Sequence, residues 1–148
     1  MNASIKRATV EDLDAVAPLF DAYRGFYGQA SDLPRARDWL KARMQASESV
    51  VLLAEADGKA LGFVQLYPMF SSVGTARTWI LNDLYVDAAA RRGGVARTLL
   101  DAAAGFARDD GARSIVLETT RDNTPARALY RNAGWNEDET QWYSLSLK

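Results

Sequence analysis

Apolar positions recur along the chain with two periods, two and about three and a half, and the changes from one to the other mark its elements. Ser4 to Ala8 alternates apolar with polar and predicts an edge strand. From Thr9 the period lengthens: Thr9 is the expected N-cap, Glu11 and Asp12 sit in the first turn, and Leu13, Val16, Leu19, Phe20 and Tyr23 fall on one helical stripe. Pro18 lies inside this helix, positioned to kink or end it. Tyr23, Phe26 and Tyr27 cluster before Gly28, either as helix packing or as an aromatic lid over a substrate. Asp32 to Ala46 predicts a second helix, with Leu33, Ala36, Trp39, Leu40 and Met44 on one side. Arg35, Arg37, Asp38, Lys41 and Arg43 fall mostly on the other side, which reads as a solvated face.

The period then returns to two. Ser49 to Ala56 is β-branched and apolar, Asp57-Gly58 is a hairpin signal, and Ala60 to Phe70 predicts the returning strand. Pro68 marks an edge, a bulge or the end of pairing. A polar turn at 71–74 leads into a third strand, Ala76 to Val86. Arg91 to Ala96, RRGGVA, is a basic glycine turn that opens a helix from Gly94 to Asp109, with Val95, Leu99, Leu100, Ala103, Phe106 and Ala107 on its apolar stripe. Ser114 to Glu118 reads as a short buried strand, so strand, helix and strand form a βαβ unit with parallel strands. In Asp122 to Trp135, Thr124 is the expected cap, Pro125 the first helical residue and Gly134 the stop, and Asn123, Ala126 and Tyr130 share one side. Trp135 and Trp142 to Leu147 bracket a polar stretch and predict a closing hairpin.

Composition narrows the chemistry. A chain of 148 residues with 48% hydrophobic content supports one core, so a single domain over residues 1–148 is expected. Lys and Arg number 18 against 19 Asp and Glu, leaving no global field to recruit nucleic acid or an anionic membrane. The first residues are polar and acidic where a leader would be apolar, so a cytoplasmic location is expected. Without cysteine or histidine, a thiolate nucleophile, an imidazole base and the commonest metal ligands are excluded, and no metal is expected. Acid–base work falls to Asp, Glu, Tyr, Lys or water.

The glycine turn is the strongest candidate site. Its backbone N–H groups and the positive end of the following helix suit a phosphate or pyrophosphate. It lacks the lysine and spacing of a Walker A loop, Gly93-Gly94 does not fit G-x-G-x-x-G, and a kinase set is absent. Arg91-x-x-Gly94-x-Ala96, followed by Asn123-x-x-Ala126-x-x-x-Tyr130, resembles the paired coenzyme A motifs of the GNAT superfamily of acetyl-CoA-dependent N-acetyltransferases. The order of elements along nearly the whole chain is similar as well.

The resemblance implies an α/β (α+β) fold with a central mixed, mostly antiparallel sheet of about seven strands, flanking helices and a splayed parallel pair at the cofactor site. It implies acetyl-CoA as cosubstrate. The backbone of Leu84, Tyr85 and Val86 would pair with the pantetheine arm, and the turn Arg91, Arg92, Gly93, Gly94, Val95, Ala96 and Arg97 would hold the pyrophosphate. Asn123, Ala126 and Tyr130 would complete the cofactor site. Tyr130 is also the implied general acid, since a phenol with pKa near ~10 can protonate a thiolate whose parent acid lies near ~8.5. The base stays open between Asp83, Glu118 and an ordered water. Polyamine acetyltransferases resemble this segment and often carry an acidic residue just before the aspartate, where this chain has Asn82. The expected acceptor is the primary amine of a small molecule, of the polyamine, amino acid or amino sugar class, attacking directly in a ternary complex. The alternatives are a protein N-terminus or lysine as acceptor, and a non-catalytic acyl-CoA-binding module. Many relatives pair as dimers, which makes a homodimer a candidate assembly.

Overall fold

In the computed structural model, which describes residues 2–148, the segments of period two pair into one sheet in chain order. The strands are β1 (Ser4–Arg7), β2 (Val50–Ala56), β3 (Lys59–Ser71), β4 (Ala76–Val86) and β5 (Ser114–Val116). The first four are antiparallel neighbours and β5 runs parallel to β4. The chain divides into two compact units, one reaching to Glu118 and one from Thr119 to Lys148.

In the first unit the helices are α1 (Leu13–Phe26), α2 (Leu33–Gln45) and α3 (Val95–Asp109). Thr9 and Asp12 form a reciprocal capping box over the short 3₁₀ turn Val10–Asp12 that leads into α1. Pro18 neither ends nor breaks α1. Both it and Asp14, whose carbonyl loses the proline's missing N–H, are exposed, so water can satisfy the freed oxygen. Leu13, Val16 and Phe20 of α1 and Leu40 of α2 pack with Val51, Leu53 and Phe63 on one face of the sheet. Leu99 of α3 meets the strand at Gly62, which points to the opposite face from Phe63. With both faces covered, β2 is buried for most of its length instead of alternating. Asp57 and Gly58 both have positive φ, as the two-residue hairpin requires.

Two irregularities shape the far end of β4. Leu81 faces Leu66 and Asp83 faces Gln65, so Asn82 is an extra residue bulged out of the ladder. The parallel pairing with β5 covers only Thr78 to Ile80, whereas β4 continues to Val86 against β3 alone. This is the splayed parallel pair that the family resemblance implies. Gly62, opposite Val86, keeps β3 and β4 in register there: a Cβ on it would stand 2.6 Å from the Tyr85 carbonyl oxygen. Gly62→Ala is expected to cost about 1–3 kcal/mol, as overpacking of a close-packed interior does. Chemical denaturation checks this, and an unchanged midpoint would contradict the close approach.

In the second unit, α4 spans Thr124–Asn132. Its cap is Asn123 instead of Thr124, and Pro125 takes the second helical position. Among the described residues no strand follows Gly134, so the expected closing hairpin is not formed and the sheet has five strands where about seven were expected. Trp142, Tyr143, Leu145 and Leu147 are exposed. The alternation of WYSLSL supplies a strand pattern, but the polar stretch before it offers no tight turn and no partner strand, and a pattern without a ladder does not make a strand.

Candidate active site

The bulge at Asn82 turns the chain so that Asp83, which follows it, is carried inward, with a side chain only 3% exposed. A carboxylate at that depth needs donors. Gln65, its cross-strand neighbour, donates from Nε2 to one carboxylate oxygen, and Asn82 donates from Nδ2 to the other at 2.8 Å. Burial raises the Asp83 carboxyl above the usual carboxylate range, and the hydrogen bonds from Gln65 and Asn82 hold back part of that rise. The other end of the Gln65 amide, Oε1, is buried without a partner among the described residues. Half a turn of that amide would present an acceptor to a protonated Asp83, so Gln65 can serve both protonation states.

Asp83 lies at a cavity of about 310 Å³ walled by Tyr23, Tyr27, Trp39 and Tyr67. Tyr23 is the hinge of this aromatic group. Its ring lies 6.0 Å from Phe63, 6.5 Å from Tyr85 and 5.1 Å from Tyr27, and its hydroxyl donates to the Asn82 carbonyl at 3.2 Å. Burial, then the nearby Asp83 charge, pushes the Tyr23 phenol well above its ordinary value, so it stays a donor. Aromatic faces beside a buried carboxylate suit an ammonium group. Both readings of the 23–27 aromatics are partly realised: Tyr23 is half buried and packs, while Phe26 and Tyr27 are exposed.

Past β4, a 3₁₀ turn at Ala88–Ala90, capped by Asp87, leads to the glycine turn. Arg92 and Gly94 both adopt left-handed backbone, with φ of 68° and 79°. Gly94 is the N-cap of α3, and the bond from Thr98 N–H to its carbonyl, at 3.0 Å, is the first of the helix. The amides that open a helix have no intrahelical acceptor, and a glycine cap brings no side chain to satisfy them. Among the described residues, nothing beyond its own chain neighbours lies within 4 Å of where a Cβ on Gly94 would stand, so the turn presents an open face to an anion. The three arginines are not equivalent. Arg91 turns back to the end of β4, donating to the Val86 carbonyl at 3.0 Å and covering the Tyr85 ring. Arg97 is held by Asp101 at 3.1 Å. Arg92 is exposed and has no partner among the described residues.

Leu84, Tyr85 and Val86, half buried, lie on the stretch of β4 that β5 no longer flanks. Glu118 falls after the end of β5 and is exposed, and Asp83 is the one carboxylate among the described residues lining the cavity. In the second unit, Asn123 accepts the Ala126 N–H on its side-chain oxygen at 3.3 Å. Tyr130 stands two turns along α4, its ring centroid 6.3 Å from that of Trp135. Among the described residues, no three acidic side chains converge as a metal site, and no helix is long and apolar enough to cross a membrane.

The family model of the acetyltransferase (GNAT) family matches residues 13–135, which includes both glycine-turn and α4 motifs. The chain belongs to this family. It is an acetyl-transfer enzyme of the GNAT type, and acetyl-CoA is its cosubstrate. The uncharacterized N-acetyltransferase YhfO of Bacillus subtilis (strain 168) is 49% identical over 135 residues, 91% of each chain. A crystal structure of a probable acetyltransferase superposes with a TM-score of 0.94 at 44% identity, covering 98% of both chains. The aminoglycoside N-acetyltransferase AAC(6')-Iy, solved in complex with CoA, shares the fold with a TM-score of 0.83 at 21% identity, over 99% of this chain and 96% of its own.

Two features of this GNAT enzyme were not singled out from the sequence. Gln65 is a lone amide in an otherwise apolar strand, and that interruption was the available signal. Arg24 follows Tyr23 at the edge of the apolar stripe, where nothing in the pattern distinguishes a cavity wall from a solvated position.

Proposed function

We propose that this enzyme transfers the acetyl group of acetyl-CoA to the primary amine of a small molecule, by direct attack within a ternary complex. The observation that carries the acceptor side of the reading is the buried Asp83 carboxylate at an aromatic-walled cavity, beside the free stretch of β4. The amide row at the start of α3 and the open face at Gly94 fit the pyrophosphate of the donor, with Arg92 the arginine whose charge is uncommitted. Backbone groups of Leu84 to Val86 are suited to pair with an extended arm as an added strand would. Asn123 and Ala126 complete the donor site by resemblance.

An alkylamine with pKa near ~10 arrives as an ammonium and must lose a proton before it can attack. Asp83, raised above the ordinary carboxylate range, is suited to take that proton. The nitrogen lone pair then attacks the thioester carbonyl, the N–C bond forms, the nitrogen sheds its second proton to solvent, and the C–S bond breaks, with Asp83 returning its proton to solvent after turnover. Tyr130 gives its phenolic proton to the departing thiolate and recovers one from solvent. Glu118 is left outside the reaction in this scheme. Because the chain has no cysteine to carry the acetyl group, both substrates are expected to be bound together. Initial rates over a grid of donor and acceptor concentrations should therefore give intersecting double-reciprocal lines. Parallel lines would refute direct transfer.

A further inference from the structure

The carboxylate of the cavity accounts for an amine but not for the guanidinium that lines it too. Arg24, next to Tyr23 on α1, lines both this cavity and an adjoining groove of about 800 Å³, which also share Phe20 and Trp39. Its Nη1 is buried and has no hydrogen-bond partner among the described residues. A buried donor without an acceptor is costly, and a cationic one more so. Asp21, one turn back on the same helix, is within electrostatic reach. Its two oxygens, however, are engaged by Ser31 Oγ at 2.6 Å and the Asp32 N–H at 2.8 Å.

The groove reinforces the positive character. Arg35 lines it without an ion-pair partner among the described residues. Arg43 also lines it, pairing with Glu48 at 2.7 Å and stacking over Trp39 at 4.3 Å. Asp38 is the one carboxylate among the described lining residues of the groove. The acceptor region thus carries both signs: a buried carboxylate, aromatic walls, and a guanidinium with a buried, unpartnered N–H line the same cavity.

We infer that the acceptor is a small amine that also carries an oxyanion, a carboxylate or a phosphate-type group, with its amine toward Asp83 and its anion toward Arg24, and Arg35 beside it. The inference rests on the acetyltransferase reading of this site and narrows it. A polyamine or an aminoglycoside would bring a second ammonium toward Arg24, where it would be repelled, and would leave the Nη1 donor unsatisfied. An amine with an apolar or aromatic middle and an anionic end matches both charges and the wall together.

The test compares matched pairs by CoA-thiol release: amino carboxylates against their methyl esters, and aminoalkyl phosphonates against the alkylamines without the phosphonate, with spermidine alongside. The two anionic series separate carboxylate from phosphate-type recognition. Within at least one series the member bearing the anion is expected to exceed its counterpart without it by about tenfold or more in kcat/KM, the equivalent of one charged hydrogen bond. Arg24→Gln should raise KM for the anionic member about tenfold and shrink the ratio within each pair toward one, with Arg35→Gln giving a smaller change in the same direction. Acetyl-CoA affinity by calorimetry, within about twofold of the parent, reports that each variant is folded. A preference for spermidine or for the members without the anion overturns the inference and leaves the acetyltransferase reading standing. Acetyl-CoA binding without turnover of any amine overturns both.

Discussion

Replacing Tyr130 by Phe is expected to lower kcat by about 10²- to 10⁴-fold while leaving the dissociation constant for acetyl-CoA within about threefold, the range that loss of a general acid produces. The substitution keeps the ring, and with it the packing of α4 against Trp135, whose centroid lies 6.3 Å from that of Tyr130. Only the hydroxyl is lost. If that hydroxyl protonates the departing thiolate, the loss falls on the chemical step and not on binding of the donor. Steady-state kinetics paired with calorimetry separates the two. A kcat within about threefold of the parent would remove Tyr130 from the acid role.

The second large effect is expected from Asp83→Asn. With no histidine in the chain and one carboxylate among the described residues lining the cavity, removing it should lower kcat/KM by about 10²-fold or more at neutral pH. In the parent enzyme the acidic limb of the kcat/KM profile should fall as Asp83 takes up a proton, at a pH above the usual carboxylate value of 3.8 because burial raises its carboxyl. The variant should lose that limb. Stability should move the other way. A carboxyl whose folded pKa is raised favours the folded state below its unfolded pKa, and that contribution is lost as pH rises through the folded pKa. At neutral pH the ionised Asp83 therefore opposes folding, and the amide removes this cost. The Gln65 amide can turn its unpartnered Oε1 to the new donor. The variant should melt no lower than the parent at neutral pH, with any advantage shrinking in acid. An inactive variant that has also unfolded at neutral pH would contradict this, as would an active one.

Much of the fold was legible because periodicity and punctuation agree in this chain. Thr9 and Asp12 cap where the apolar stripe begins, Asp57-Gly58 turns where two apolar runs meet, and Gly94 precedes the stripe of α3. Pro18 does not end α1, an outcome that depends on whether the freed carbonyl is wet, which requires knowing the exposed side of the helix. Trp142 to Leu147 carries a strand's alternation, yet a strand is a property of pairs and the pattern names no partner. The glycine turn and the helix that Asn123 caps were legible as local elements for the opposite reason: each is set by residues close in sequence, so its spacing is its geometry. The acceptor half is assembled from α1, α2, β3 and β4. Asp83 could be named from its place in the strand, but its depth depends on the bulge at Asn82 and on Gln65 across the ladder. The orphaned Nη1 of Arg24 exists only once the helices are packed.

The most direct measurement is CoA-thiol release from acetyl-CoA by the purified enzyme across a broad set of primary amines, with mass spectrometry of the products. Amine-dependent release, stoichiometric with a product carrying one acetyl group on nitrogen, is the predicted result. Binding of acetyl-CoA with no amine-dependent release from any small molecule in the set would contradict it.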